Sequence, residues 1–147
     1  MLASSAALHQ PGAVVPFPAR RARKPKRDPN ALARLLKALD VRIEERVATL
    51  LPDSPEFAFA FFGSMKIGAV ALPLNTLLKP RDYEYLLNDS RARALVVHSS
   101  LLSSIADIRD RLIHLRHTIV AGEETPGLPH LEKLMQSSSP SGWWGCL

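Results

Sequence analysis

Gly63-Ser64-Met65-Lys66-Ile67-Gly68 carries the glycines and the lysine that a phosphate-binding loop uses. Such a loop lies on a turn between strand and helix, where backbone N–H groups converge on phosphate, and runs directly into Gly-Lys-Ser/Thr. Here both glycines fall late in a helix-forming run, and close packing plus a helix-ending Gly68 account for them. His114 and His117 are three apart, but the helix before them is expected to end between them, and no Cys or carboxylate completes a metal set. His98 stands at the carboxyl end of an expected strand, where α/β sheets bind ligands, yet it lacks a nucleophile and an orienting partner. Ser99-Ser100 and Ser103-Ser104 lie in no Gly-x-Ser-x-Gly elbow and read as caps. Asp53, Glu56, Asp82 and Glu84 have helix-start explanations. The residues taken by themselves therefore assign no catalytic, cofactor-binding or metal-binding side chain.

Those residues must be positioned by a chain of 147 residues, 46% hydrophobic and 22% charged, with 12 Pro, 7 Gly and one Cys. That is one domain's length, and folding can hide roughly 70% of its unfolded surface. Cys146, alone, excludes a disulfide scaffold and a Cys-rich zinc site. The most apolar stretch, 56–74, is interrupted by Lys66 and Pro73, so no membrane-spanning segment is expected, and the chain reads as soluble and cytoplasmic. The formal charge of +5 is unevenly placed: residues 1–27 hold six cations from Arg20 to Arg27 and no acid, while residues 28–147 hold 13 cations against 14 acids. The basic segment admits a polyanion contact, a nuclear address, a transit segment or adventitious sequence; the near-neutral remainder excludes a broad nucleic-acid surface.

Residues 1–29, with five prolines and no apolar period, are expected to be a disordered basic tail. A short amphipathic helix follows over about 30–39, carried by Leu32, Leu35, Leu36 and Leu39. Arg46–Leu51 reads as a buried strand. Ser54 then caps a helix over 55–67, with Pro55 in its first turn and Gly68 beyond its end. That helix is apolar nearly all round, which requires cover on both sides. Ala69–Leu72 is a second strand, Pro80 opens a helix ending near Asn88–Ser90, and Ala94–Val97 is a third strand. A helix from Ser99 or Ser100 through Ile113, then a fourth strand over 118–120, completes the alternation. This pattern is α/β, a mostly parallel sheet with alternating helices. A last helical turn or two holds Leu128, Leu131, Leu134 and Met135; 136–147 is an irregular tail containing Trp143 and Trp144.

The run from Arg46 through Val-Ala-Thr-Leu-Leu-Pro-Asp-Ser-Pro-Glu-Phe-Ala-Phe-Ala-Phe-Phe-Gly-Ser-Met-Lys-Ile-Gly-Ala-Val-Ala-Leu-Pro-Leu to Asn75, continued to Val97, resembles the N-terminal part of the adenylate-forming acyl/aryl-CoA synthetases. The likeness covers about 30–135 and is strongest for the benzoate–CoA ligase branch, hydroxybenzoate ligases included. It implies an incomplete N-terminal subdomain of an AMP-binding synthetase fold. It implies a parent activity in which a carboxylic acid, a benzoate-like one favoured, is adenylated with ATP and Mg²⁺ and then passed to the thiol of CoA. The family's Ser/Thr/Gly-rich phosphate loop, its nucleotide motif, its ribose-binding Asp and its catalytic Lys do not occur in these residues. The resemblance therefore transfers no catalytic residue and no cofactor-binding residue. Pro73-Leu74-Asn75 falls on a strand-end loop near the ligand region, with no role assigned. Residues 1–29 and 140–147 depart from the family, as a truncated or frameshifted reading frame would. The chain alone is expected to be inactive and to self-associate through exposed apolar surface. The rival readings are a noncatalytic module that pairs with a full-length synthetase and a basic-tailed nucleic-acid binder.

Overall fold

The computed structural model describes residues 29–137. The basic segment Arg20–Arg27, His9, Trp143, Trp144, Cys146 and the expected tails lie outside the described residues, except that Pro29, given to the first tail, opens a helix and Gln136 and Ser137, given to the last, end one.

Four parallel strands form one sheet: β1 (Arg46–Leu50), β2 (Val70–Pro73), β3 (Ala92–His98) and β4 (His117–Ala121), in the order β2-β1-β3-β4. Each is followed by a helical connection, so the side chains of a central strand are buried on both faces. In β1, Val47 and Leu51 point to one face and Ala48 and Leu50 to the other, all buried. The first face is covered by α1 (Pro29–Ala38), α2 (Pro55–Lys66) and α5 (Leu131–Ser137) through Leu32, Leu35, Leu36, Ala60 and Leu131. The second is covered by α3 (Pro80–Asp89) and the short α4 (Ser103–Ala106) through Tyr83, Leu87, Ile105 and Ile108.

The helix ends follow their sequence signals. Ser54 in extended conformation accepts the N–H of Phe57 at the start of α2, and Gly68 adopts φ +75° just beyond its end. Asp40, at φ 55°, plays the left-handed part after α1, with Val41 N–H donating to Leu36 O and Asp40 N–H to Lys37 O. Asp82 accepts the N–H of Lys79 at 3.2 Å and closes the first turn of α3.

Two expectations are corrected. The helix expected from Ser99 or Ser100 through Ile113 is one turn of α-helix, Ser103–Ala106, between 3₁₀ turns at Ser99–Leu101 and Arg109–Arg111. At the far end Asn88 of α3 takes over: its amide donates to Arg111 O at 3.0 Å and accepts the N–H of Ile113 at 3.2 Å, using backbone groups that a helix running through Ile113 would pair internally. Ile113 is consequently exposed. The second correction concerns cover on α2: Phe62 and Met65 are 53% and 54% exposed, so among the described residues this helix is covered on one side only.

Candidate functional site

In an open parallel sheet, ligands bind beyond the carboxyl ends of the strands, where neighbouring connections leave to opposite faces. That point lies between β1 and β3, because β1 runs into α2 on the first face and β3 runs toward α4 on the second. Four segments rim it: Leu51–Ser54 after β1, Leu74–Lys79 after β2, His98–Ser100 at the end of β3, and Gly122–His130 after β4.

The rim of β3 and β4 is one bonded unit. His98 Nδ1 lies 2.8 Å from Ser100 Oγ and accepts the Ser100 N–H at 3.3 Å. Ser99 Oγ accepts the N–H of Glu123 at 3.1 Å. Gly122 has φ +92° and lies against the imidazole edge; a Cβ there would come within 2.8 Å of His98 Nε2 and 3.0 Å of Ser99 Oγ. Gly122 O in turn accepts His130 Nε2–H at 2.8 Å, and Pro129 O accepts the N–H of Val120 at 2.8 Å. The close approach at Gly122 is what the turn requires of a residue without a side chain.

The His98–Ser100 pair has the contact of a base and a nucleophile, but both atoms belong to a cap two residues long. Imidazole Nδ1 takes the backbone N–H of the same serine, as an N-cap does. Among the described residues no carboxylate bonds Nε2 to complete a triad. Ser99, expected to cap its own helix, caps Glu123 on the neighbouring loop instead.

The β2 rim is held differently. Asn75 Oδ1 accepts the N–H of Leu77 at 2.9 Å, and the hydroxyl of the fully buried Tyr83 donates to Asn75 O at 2.8 Å. Burial pushes the Tyr83 phenol up from its ordinary value. Pro73-Leu74-Asn75 is thus a fixed turn at the ligand end of the sheet, presenting Leu77 almost fully exposed. Thr49 is fully buried in the carboxyl half of β1 with no hydrogen-bond partner for Oγ1, and Nδ1 of His130 in the rim is likewise buried without a partner.

Gly63-Ser64-Met65-Lys66-Ile67-Gly68 lies far from phosphate geometry. A Cβ on Gly63 would stand 2.9 Å from both Leu32 Cβ and Pro29 O, so this glycine lets α1 pack against α2. Ser64 Oγ donates to Ala60 O within the helix, and Lys66 Nζ donates to Asn30 of α1. His114 is partly buried in the loop before β4 and His117 begins that strand. Among the described residues no three His, Cys, Asp or Glu side chains gather to hold a metal. Of the helix-start acids, Asp82 caps α3, whereas Glu84 pairs with Arg111 at 2.9 Å, and that hydrogen-bonded guanidinium holds its carboxyl below the usual range.

This geometry does not fit the polyphosphate of ATP. Pro52 and Pro55 remove N–H groups from the β1–α2 turn, the Phe57 N–H is bonded to Ser54, and the Ser100 and Glu123 N–H groups are bonded to His98 and Ser99.

The sequence model of the AMP-binding enzyme family matches residues 24–141. The chain belongs to this family. Among AMP-binding enzymes, the 3-hydroxybenzoate–CoA/4-hydroxybenzoate–CoA ligase of Thauera aromatica is 38% identical over 91 residues, 62% of this chain and 17% of that protein. The 4-hydroxybenzoate–CoA/benzoate–CoA ligase of Rhodopseudomonas palustris is 34% identical over 108 residues, 74% of this chain and 20% of that protein. An anthranilate CoA ligase solved in complex with anthranoyl-AMP superimposes with a TM-score of 0.73 at 42% identity, over 76% of this chain and 22% of that one. A benzoate CoA ligase from Burkholderia xenovorans gives 0.67 at 30%, over 78% and 23%. The chain spans about one fifth of the length of these relatives. Its four-stranded parallel sheet with helices on both faces is therefore part of the AMP-binding synthetase fold. Among the described residues, no helix is long and apolar enough to cross a membrane.

Proposed function

We propose that these residues form the N-terminal sheet scaffold of an AMP-forming aryl-acid–CoA ligase and have no ligase activity by themselves. The supporting observation is the likeness, in sequence and in sheet, to ligases named for benzoate, hydroxybenzoate and anthranilate. In the parent reaction a carboxylate oxygen attacks the α-phosphorus of ATP and pyrophosphate leaves. The thiolate of CoA then attacks the acyl carbon, and AMP leaves with the carboxyl oxygen. Both steps place charge on phosphate or carbonyl oxygens and need convergent N–H donors, cations and a metal ion. The bonded-up rim of this sheet offers no such set, which is why the scaffold role is assigned. The reading carries with it an aromatic carboxylic acid as the parent substrate, ATP, Mg²⁺ and CoA as parent cofactors, a cytoplasmic setting, and no nucleic-acid or membrane partner.

Purified chain, incubated with ATP, Mg²⁺, labelled pyrophosphate and benzoate or a hydroxybenzoate, is expected to show no acid-dependent exchange of label into ATP. Robust exchange dependent on the acid would overturn the scaffold role.

A further inference from the structure

We propose that the amino-terminal edge of the sheet binds the linked phosphates of a small oligophosphate. Three neighbouring strands begin there at or beside an arginine. Arg46 is the first residue of β1 and pairs with Ala92 of β3; Arg91 and Arg93 flank that alanine; and Arg116, just before β4, donates its N–H to Arg93 O at 2.9 Å. Strands lie about 4.8 Å apart, so the backbone positions of this row span about 10 Å, about one Debye length at 0.1 M salt. The row stands on one face. Ala48 and Leu50 of β1 and Val120 of β4 belong to the second core cluster, and alternation places Arg46 and Arg116 on that same side, beside the end of α3 from which Arg91 emerges.

The positive charge of this row is not neutralised within the fold. Arg46, Arg91 and Arg116 are exposed, and among the described residues their side chains enter no ion pair or hydrogen bond. Arg93 is partly buried: Glu45 Oε1 lies 3.8 Å from its Nε, too far for a hydrogen bond, and that Nε has no other partner. The carbonyl end of α3 supplies roughly half a negative charge and Glu45 one more, against the guanidinium groups of all these arginines. Glu44 lies toward β2, with its N–H on Gly68 O, and Asp89 lies on the outer face of α3 with Arg81, Glu84 and Tyr85, so both stand beside the row rather than in it. The opposite end of the sheet carries exposed Asp53 and Glu123. The fold is therefore polarised along its strands, although residues 28–147 are close to neutral, and an anion is drawn to the amino-terminal edge.

The chemistry of the row selects the anion. Its cations are all arginines, whose planar forks bind phosphate and carboxylate oxygens two at a time. A step of about 4.8 Å is shorter than the roughly 6.6 Å between same-side carboxylates of an extended peptide, and it suits phosphates joined through one oxygen, whose charges follow one another without a gap. Arg93, with 30% of its side chain exposed, is held by packing before any ligand arrives, so less freedom is lost on binding. Pyrophosphate and the phosphate chain of a nucleotide share this chemistry.

Calorimetric titration of the full 147-residue chain with pyrophosphate at constant ionic strength tests this, with ATP, AMP and citrate as parallel arms. Pyrophosphate and ATP are expected to bind saturably and to raise the melting temperature, with AMP and citrate at least tenfold weaker. ATP equal to pyrophosphate makes the free phosphate chain the ligand, and ATP tenfold tighter makes it a nucleotide's; either result upholds the proposal. Arg46→Gln combined with Arg116→Gln is expected to weaken binding tenfold or more and to leave the far-ultraviolet circular dichroism unchanged, since both side chains are exposed. Arg116→Gln alone, weaker several-fold, decides the matter if the double variant disturbs folding. Residues 20–27 also carry cations, so Arg23→Gln, Lys24→Gln, Lys26→Gln and Arg27→Gln together are the control and are expected to keep the affinity within twofold. Binding that is absent, that citrate matches, or that follows the control substitutions and ignores Arg46 and Arg116 would overturn the proposal.

Discussion

Gly63 decides whether the glycine-lysine run in α2 is a ligand loop or a packing seam, and Gly63→Ala separates the two. A methyl at this position would stand 2.9 Å from Leu32 Cβ and 2.9 Å from Pro29 O, neither of which is the free end of a flexible side chain. Ordinary contact needs about 0.7 Å more, so α1 must back away from α2, loosening Leu32, Leu35 and Leu36 in the first core cluster. Overpacking of this kind costs about 1–3 kcal/mol. Replacing a mid-helix glycine by alanine returns about 1 kcal/mol of helix propensity. The net expectation is a loss of about 0–2 kcal/mol, or at its centre a fall in melting temperature of about 4 °C for a domain of this size. Urea denaturation followed by circular dichroism measures it, with an unchanged slope marking a change in stability alone. A variant stabilised by about 1 kcal/mol would refute the seam, because the propensity gain would then stand unopposed. Gly68→Ala calibrates the result: its φ of +75° predicts a loss of about 1 kcal/mol from backbone strain with little change in the α1–α2 contact.

Thr49→Val is expected to stabilise by about 1 kcal/mol in the same denaturation assay, since a buried hydroxyl without a partner is replaced by a methyl of similar shape; destabilisation would show that the hydroxyl is bonded. Tyr83→Phe removes the bond to Asn75 O and is expected to cost about 1 kcal/mol and to speed amide exchange at Leu77. The hydrogen-bonded Arg111 and Lys133 hold the carboxyls of Glu84 and Glu124 below their ordinary value of 4.5. A carboxyl depressed in the folded state stabilises above its unfolded pKa and loses that contribution as pH falls through the folded one. Stability should therefore decline modestly below about pH 4.5, and Glu84→Gln should flatten part of that slope, as urea midpoints from about pH 6 to about pH 3 will show.

The alternation of strands and helices was legible because its punctuation is local. Ser54, Pro55 and Gly68 mark α2 from both ends, and the apolar runs around Val47, Val96 and Ile119 leave little choice of element. Strand order was not legible, since both faces of β1 and β3 are apolar and nothing in either run names its neighbour. The helix expected to run through Ile113 was misjudged at its far end because the side chain that bonds the backbone there, Asn88, comes from another helix. The same holds at the rim. Ser99 bonds Glu123, Tyr83 bonds Asn75 and Gly122 fits against His98, each across 8 to 24 residues of sequence. A Tyr at helical spacing reads as core, and here it is core with one hydroxyl bond that anchors the β2 turn. The apolar helix α2 was legible as apolar nearly all round, but which of its sides lies open, that of Phe62 and Met65, was not.

The central claim is that these residues are the sheet scaffold of an aryl-acid–CoA ligase. Transplanting residues 30–135 in place of the matching segment of the Thauera aromatica hydroxybenzoate ligase tests it most directly. The account predicts a folded chimera that still forms hydroxybenzoyl-CoA from hydroxybenzoate, ATP and CoA, with activity within about tenfold of the parent. A chimera that folds, as judged by circular dichroism and cooperative melting, but forms no thioester would contradict it.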